Sequence, residues 1–297
     1  MDAVVHALRS MLFIPGDRHD LIPKAVRSGA DAMIVDLEDA VAPSEKPKAR
    51  AGLAELPDAG IPLYVRTNAP STEMFWDDVV AAGRAGVAGL VIPKAESPKV
   101  LHELDGALRA LEMSSGSGVG SIVVAPMIES AVGVRATYDM ARSSDRVSTV
   151  LFGSGEQGDL VADLGVEWTP EGTGLMHARS KVLLDARAAG LEHPMDAVFM
   201  DFRNLDALRT ECELARRLGY GGKVGIHPAQ IPIINDVFTP SEQQVAHSRR
   251  IIDEFEGALA DGRASIAVDG RMVDYAVARV ARTVLARAEL AARAANR

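Results

Sequence analysis

Short apolar runs recur along this chain at fairly even spacing. They fall at Ser10–Ile14, Ala32–Leu37, Leu63–Arg66, Gly89–Ile92, Ile122–Met127, Val147–Phe152, Ala197–Met200 and Lys223–Ile226. Each is too short for a helix and rich in β-branched or bulky apolar side chains, the signature of strands buried on both faces. Most are followed by a longer stretch with apolar residues at the 3.6-residue helical period: Ser97–Leu111, Ala131–Ala141, Leu175–Ala189 and Leu205–Leu218 are examples. Strand and helix in alternation predict βαβ units and a parallel sheet. Repeats of this number favour a closed (β/α)8 TIM barrel, an α/β fold, over an open doubly wound sheet. The first turn after a strand, Pro15-Gly16-Asp17, lacks the GxGxxG pattern of dinucleotide-binding sheets.

The pattern changes after the eighth run. Residues 1–240 are assigned to the barrel and 241–297 to a C-terminal helical extension. That extension reads as a helix over Ser241–Leu259, a turn at Asp261-Gly262 and a short apolar run, Ser265–Val268. Asp269-Gly270 and an Ala/Arg-rich amphipathic helix over Met272–Ala295 follow. It is expected either to cap its own barrel or to reach a neighbouring subunit. Ser114–Gly120, built of serine and glycine, is expected to be a flexible surface connector between the fourth helix and the fifth strand.

Composition narrows the function. The net charge of -9 and pI near 5.3 argue against nucleic acid as the main partner. The single cysteine, Cys212, excludes an intrachain disulfide and fits a reducing compartment. It sits inside helical pattern and is read as structural. There is no stretch of about 18 apolar residues that would span a membrane, and the N-terminus does not read as a secretion signal, so a cytoplasmic location is expected.

Candidate chemistry gathers at the downstream ends of the strands, which in a parallel barrel share one face. Asp36, Glu38 and Asp39 close the second run, Arg66 the third, Glu129 the fifth, and Asp159 follows the sixth. Carboxylates around one arginine suit a divalent metal and an anionic substrate. Glu129 and Asp159 are the proposed metal ligands; each precedes a helical segment, so capping of a helix N-terminus is the competing role. Of the three acidic residues on the second run, one is expected to cap the next turn or pair with Lys46 or Lys48. The others would hold metal-bound water. Arg66 needs a partner at the end of a buried strand, either a carboxylate such as Glu38 or the substrate. Lys94 is read as an ion pair with Glu96 or the acidic ring, with a Schiff base as the alternative. His227 would orient substrate or satisfy a local hydrogen bond.

Several of these residues belong to longer motifs. They are Arg9-Ser-Met-Leu-Phe-Ile-Pro-Gly16, Asp36-Leu-Glu-Asp-Ala-Val-Ala-Pro43, Val65-Arg-Thr-Asn68, Ile92-Pro-Lys-Ala-Glu96, Met127-Ile-Glu129, Asp159-Leu-Val-Ala-Asp-Leu-Gly165, Gly222-Lys-Val-Gly-Ile-His-Pro228 and Asp269-Gly-Arg-Met-Val-Asp274. Taken in order, they make the chain resemble the HpcH/HpaI aldolase and citrate lyase β-subunit family, in its citrate lyase β-like and malyl-CoA lyase branch. The resemblance implies a homo-oligomer, trimer or hexamer, with Mg²⁺ on Glu129 and Asp159. It implies Arg66 on the substrate and Glu38 and Asp39 around metal-bound water. Phe13, Pro15, Gly16 and Lys94 would contact substrate. Asp274 would act as acid/base in a neighbouring subunit's site. The implied reaction is Mg²⁺-dependent cleavage or condensation of a short β-hydroxyacyl-CoA. Rivals are an acyl-CoA thioesterase, a citryl-carrier-protein lyase subunit and a class II pyruvate aldolase; Asp39-Ala40 after Glu38, where that last branch has a Glu-His-Gly context, disfavours it. One departure from the family pattern is the longer loop Ser154-Gly-Glu-Gln-Gly158, which offers Glu156 as a competing metal ligand.

Overall fold

The computed structural model describes residues 8–295 apart from 154, 170 and 197. Eight strands close a parallel barrel in sequence order. They are β1 (Ser10–Pro15), β2 (Ala32–Asp36), β3 (Leu63–Arg66), β4 (Gly89–Ile92), β5 (Val123–Ile128), β6 (Leu151–Phe152), β7 (Met195–Asp196) and β8 (Gly222–Gly225). The intervening helices are α1 (Ile22–Val26), α2 (Lys46–Gly52), α3 (Phe75–Ala85), α4 (Pro98–Ser115), α5 (Ala131–Ala141), α6 (Asp159–Leu164), α7 (Met176–Ala188), α8 (Leu205–Leu218) and α9 (Ile231–Phe238). The fold is the expected (β/α)8 barrel.

Alternate residues of each strand face opposite sides of a sheet. Met11, Ala32, Ile34, Tyr64, Val91, Ala125, Met127, Leu151, Met195 and Val224 form one buried cluster inside the barrel. Continuing the same parity to the strand ends brings Pro15, Asp36, Arg66 and Glu129 onto that inner face, at its rim. Gly89 keeps the floor closed: a Cβ there would lie 2.5 Å from the Tyr64 ring.

Two strands differ from the sequence reading. The sixth is confined to Leu151–Phe152, with Val147 making only an isolated bridge to Val124. The seventh is Met195–Asp196, not Ala197–Met200; of that expected run, Ala197 lies outside the described residues and the rest follows the strand. The reason is Asp196, which looks unsuited to a buried strand. Its carboxylate is fully buried and accepts from Lys223 Nζ at 2.7 Å, and Lys223 also lies 3.1 Å from Glu211. Arg179 completes the quartet, 3.1 Å from Asp196 and 3.0 Å from Glu211. Burial is tolerable because every charge in this group has a partner.

The stretch between α4 and β5 is better anchored than its composition suggests. Glu112, in the last turns of α4, accepts from the N–H groups of Gly120 and Ile122, both at 2.9 Å. It also takes both terminal nitrogens of Arg146 at 2.7 Å. Burial alone would raise the Glu112 carboxyl; the hydrogen bonds from Arg146 and the two N–H groups win and hold it at about 2. Glu112→Ala is expected to cost about 3 kcal/mol, because it takes both terminal-nitrogen contacts from a buried guanidinium and leaves it, among the described residues, only Asp105 as a counter-charge. Denaturant unfolding should show the loss, while the activity of the folded fraction stays unchanged.

Contacts divide the chain into two compact units, Met1–Val237 and Phe238–Arg297. The second holds α10 (Glu242–Ala260), a hairpin of β9 (Ile266–Val268) and β10 (Arg271–Val273), and α11 (Tyr275–Ala295). The hairpin turn is Asp269-Gly270, both with positive φ, as a tight two-residue hairpin requires. The expected final helix therefore begins three residues later than Met272. Ile251, Phe255, Val268, Val273, Ala278 and Ala281 form this unit's own core. Among the described residues no helix is long and apolar enough to cross a membrane.

Candidate active site

The ladder register sets the geometry of the rim. Pro15 pairs with Asp36, and Asp36 with Arg66, so three inward side chains stand side by side. Arg66 donates through Nε to Asp36 Oδ1 and through Nη2 to Asp36 Oδ2, both at 2.6 Å. Its Nη1 lies 3.2 Å from Glu38 and 3.7 Å from Asp39. The Phe13 ring covers the guanidinium at 4.7 Å. Asp36 also accepts from the N–H groups of Glu38 and Ala40, at 3.0 and 2.9 Å. It is thus the residue of the acidic trio that caps the turn. It is also the main partner of Arg66, which the sequence reading had given to Glu38 or to substrate. The two-pronged edge of the guanidinium is occupied by Asp36, and Nη1 is the edge left facing the ring. The lysines expected as partners of this trio lie elsewhere: Lys46 donates to Asn68, and Lys48 lies 4.0 Å from Glu45.

Glu129 and Asp159 are both freed from the capping role. The cap of α5 is Ser130, whose hydroxyl accepts from Gly133 N–H at 3.0 Å. The cap of α6 is Gly158, with Asp159 in the first turn and no side-chain cap bond. Glu129 is buried, and its Oε1 accepts from the backbone N–H of Lys94 at 2.7 Å. Asp159 is half exposed, its Oδ2 lying 3.4 Å from Lys94 Nζ. Glu156 is exposed in the turn before α6 and is not among the residues lining the cavity described below.

Lys94 links these groups. Its Nζ lies 3.6 Å from Glu38 and 3.4 Å from Asp159. Its backbone has φ of 47°, left-handed, which costs a non-glycine residue on the order of 1 kcal/mol. Burial pulls the ammonium's pKa down, but Glu38, Asp159 and Asp39 outweigh it and raise it. The raised ammonium and its two carboxylate neighbours fit an ion pair with the acidic ring better than a Schiff-base nucleophile. Glu96 pairs instead with the Ser130 hydroxyl at 2.7 Å.

Burial pushes the Glu129 carboxyl up to about 7; Asp159 adds to this, while the Lys94 N–H and Arg66 oppose it. Burial does the same to Glu38, also to about 7, with Asp39 and Glu129 adding and Arg66 and Lys94 opposing. Two buried carboxylates raised this far mark a site short of positive charge. Gly153 matters here, because a Cβ would lie 2.7 Å from the Cβ of Glu129 and 3.2 Å from its Oε2.

A cavity of about 550 Å³ opens over this ring. Phe13, Pro15, Asp36, Asp39, Arg66, Lys94, Glu129 and Asp159 line it, with an apolar wall from Met127, Leu151, Val198, Met200, Val224 and Ile226. A second cavity of about 540 Å³ shares Lys94, Glu129 and Asp159 and extends past Pro70, Ser71, Ser97 and Val100. Gly16, expected at the substrate, is instead buried; its N–H donates to Asp36 O at 2.8 Å, and a Cβ would lie 2.5 Å from that oxygen. His227 takes the local role: its Nδ1 accepts from Ala229 N–H at 3.1 Å and its ring stacks on Phe202 at 4.8 Å. Asp274 belongs to the second unit, where its Oδ1 accepts from the N–H groups of Ala276 and Val277 and caps α11. Cys212 is buried, and burial pushes its thiol up to about 12, so it is inert.

The donor set fits a magnesium ion. Among the described residues, no three acidic, histidine or cysteine side chains gather as a full metal cage. Mg²⁺ asks for fewer, usually one or two carboxylates with water and substrate filling the remaining positions. Asp36's role and the apolar wall were not legible in advance. The inward parity of β2 and β3, extended to their last residues, was the one signal that could have exposed the Asp36–Arg66 pair.

Residues 9–228 match the profile of the HpcH/HpaI aldolase/citrate lyase family. The chain is 33% identical over 288 residues to citrate lyase subunit beta of Escherichia coli K12, covering 95% of this chain and 93% of that protein. It is 36% identical over 288 residues to the (3S)-malyl-CoA thioesterase of Cereibacter sphaeroides, covering 96% and 95%. A crystal structure of the CitE protein of Mycobacterium tuberculosis, in complex with magnesium, acetoacetate and coenzyme A, superposes with a TM-score of 0.74. It is 31% identical, covering 95% of this chain and 98% of that one. The chain belongs to the HpcH/HpaI aldolase/citrate lyase family. Its class is that of an aldolase-type lyase.

Proposed function

We propose that this chain is a Mg²⁺-dependent carbon–carbon lyase. It would cleave, or in reverse form, a short β-hydroxyacyl-CoA such as malyl-, methylmalyl-, citramalyl- or citryl-CoA, giving a 2-oxo acid and an acyl-CoA. The observation that carries this reading is the meeting of Glu129, Asp159 and Arg66 around one cavity at the barrel rim. The M. tuberculosis relative in complex with magnesium and coenzyme A supports it.

Glu129 and Asp159 would hold the ion, and the ion would supply Lewis-acid polarisation of the substrate's oxygens. Arg66, fixed by Asp36 and covered by Phe13, would turn Nη1 toward the carboxylate or the developing negative oxygen of the 2-oxo acid portion. Glu38 and Asp39 would orient water beside that edge. Glu38, buried and raised to about 7, is not among the residues lining the two cavities and would exchange a proton with the substrate hydroxyl through that water. The apolar wall of Met127, Leu151, Val198 and Val224 would keep bulk water from the carbanion-like intermediate. The two adjoining cavities leave room for an extended thioester. Asp274 of a neighbouring subunit would protonate the thioester enolate, which requires a homo-oligomer; a trimer or hexamer in the cytoplasm is the working form we propose.

The test is a Mg²⁺-dependent assay on the four thioesters, following oxo acid and free CoA together. Oxo acid from at least one thioester, lost on adding EDTA and in Asp274→Ala, is the expected result. Free CoA without oxo acid would assign thioester hydrolysis instead. An active monomer on size-exclusion chromatography would remove Asp274 from a partner's site.

A further inference from the structure

We propose that Lys94 is a resident counter-cation of the metal site. Its ammonium holds the carboxylate ring together when no divalent ion is bound, and it leaves that place when the ion binds. The inference rests on the metal assignment above and concerns the lysine that the resemblance would place on substrate.

Three observations carry it. The ammonium reaches both Glu38 and Asp159, at 3.6 and 3.4 Å, and so bridges a proposed metal ligand and the ring behind it. The Lys94 side chain is 41% exposed, so it has an open path out of the ring. The main chain, by contrast, is tied down: the Lys94 N–H donates to Glu129 at 2.7 Å, and Ala95 N–H donates to Met127 O at 3.2 Å. Lys94 and Asp269 are the two non-glycine residues with positive φ among those described, and Asp269 sits in a two-residue hairpin turn that calls for it. At Lys94 the left-handed backbone aims the N–H at Glu129 and sends the side chain toward Asp159. The residue therefore has a fixed half that orients one ligand and a partly exposed half that neutralises the other.

Electrostatics makes the two cations competitors. A divalent ion on Glu129 and Asp159 and an ammonium on Asp159 would be like charges only a few ångströms apart. Water screens this pair, because both Lys94 and Asp159 are partly exposed. The effect on metal affinity is therefore roughly two- to fivefold, the scale of a partly solvated ion pair.

Calorimetric Mg²⁺ titration of the full chain at constant ionic strength tests this, together with thermal melts with and without Mg²⁺. Lys94→Met should bind Mg²⁺ about two- to fivefold tighter. Without Mg²⁺ it should melt below the wild type, so the gain on adding Mg²⁺ should be larger. Lys94→Arg, which keeps the charge, should return both readouts toward wild type. Unchanged or weaker Mg²⁺ binding in Lys94→Met, with a raised KM for substrate, would overturn the inference and make Lys94 a substrate anchor. If the wild type itself takes up no Mg²⁺ at millimolar concentration, the metal reading fails first, and this inference with it.

Discussion

Glu129→Gln should abolish Mg²⁺-dependent turnover while leaving the barrel at least as stable as before at neutral pH. The first half follows from the loss of a charged ligand. Mg²⁺ affinity should fall by more than about a hundredfold, beyond the 10–100-fold typical when only a partner of a ligand is removed. The second half follows from the position of the carboxyl, buried and pushed up to about 7. In the metal-free protein its ionised form is the unfavourable one. The folded state then binds a proton that the unfolded state has released. Its contribution to stability is fully present below the ordinary carboxyl range near 4.5 and is lost as pH rises through about 7. Glutamine keeps the oxygen that accepts from Lys94 N–H and carries no charge to desolvate. Melts of the metal-free wild type should fall across pH 5 to 7, with Glu38 contributing the same slope, and Glu129→Gln should flatten part of that fall. A variant that melts far below wild type at pH 7 would show that the carboxylate is structural.

The same raised carboxyls set the pH dependence of metal binding. A ligand must be deprotonated to bind, so Mg²⁺ uptake competes with protons below about 7. The apparent dissociation constant should rise up to about tenfold per pH unit below that point, with protons released on binding. Titration in buffers of different ionisation enthalpy would count them.

Much of this could be read in the chain before its fold was known, and the exceptions share a cause. β3, β4, α5 and α8 fall where the apolar runs and the helical period placed them, because local pattern and burial agree there. β7 was misplaced because Asp196 is charged, and only the distant Lys223, Glu211 and Arg179 make its burial tolerable. β10 was absorbed into a helix although Asp269-Gly270 is a strong hairpin signal; the Ala/Arg pattern that follows outweighed a turn of two residues. At the site, the meeting of Glu129, Asp159, Lys94 and Glu38 was legible from strand ends alone, because a parallel barrel delivers them all to one face. The division of labour among Asp36, Glu38 and Asp39 was not. Side chains on successive residues point to opposite faces of a strand, and which one meets Arg66 depends on the register of β2 against β3.

That register makes the loss of Arg66 costly to the fold. Arg66→Met leaves Asp36, 1% exposed, with its turn-capping bonds but without its counter-charge. Removing one partner of a buried, hydrogen-bonded pair costs about 3–5 kcal/mol. In a barrel of this size that is a fall in melting temperature of roughly 10 °C. Activity should suffer separately. Arg66 is one of the two cations opposing the rise of Glu38, so its loss should push that carboxyl above about 7 and leave it protonated at neutral pH. The two effects come apart in a double-mutant cycle. Asp36→Asn combined with Arg66→Met removes both charges and should recover about 2 kcal/mol of the stability, within the range measured for contacting pairs. It should recover none of the turnover, because Glu38 still lacks its cation. Additive stability changes would mean that the two residues are not a pair in solution. Recovered turnover would mean that Arg66 serves the fold alone.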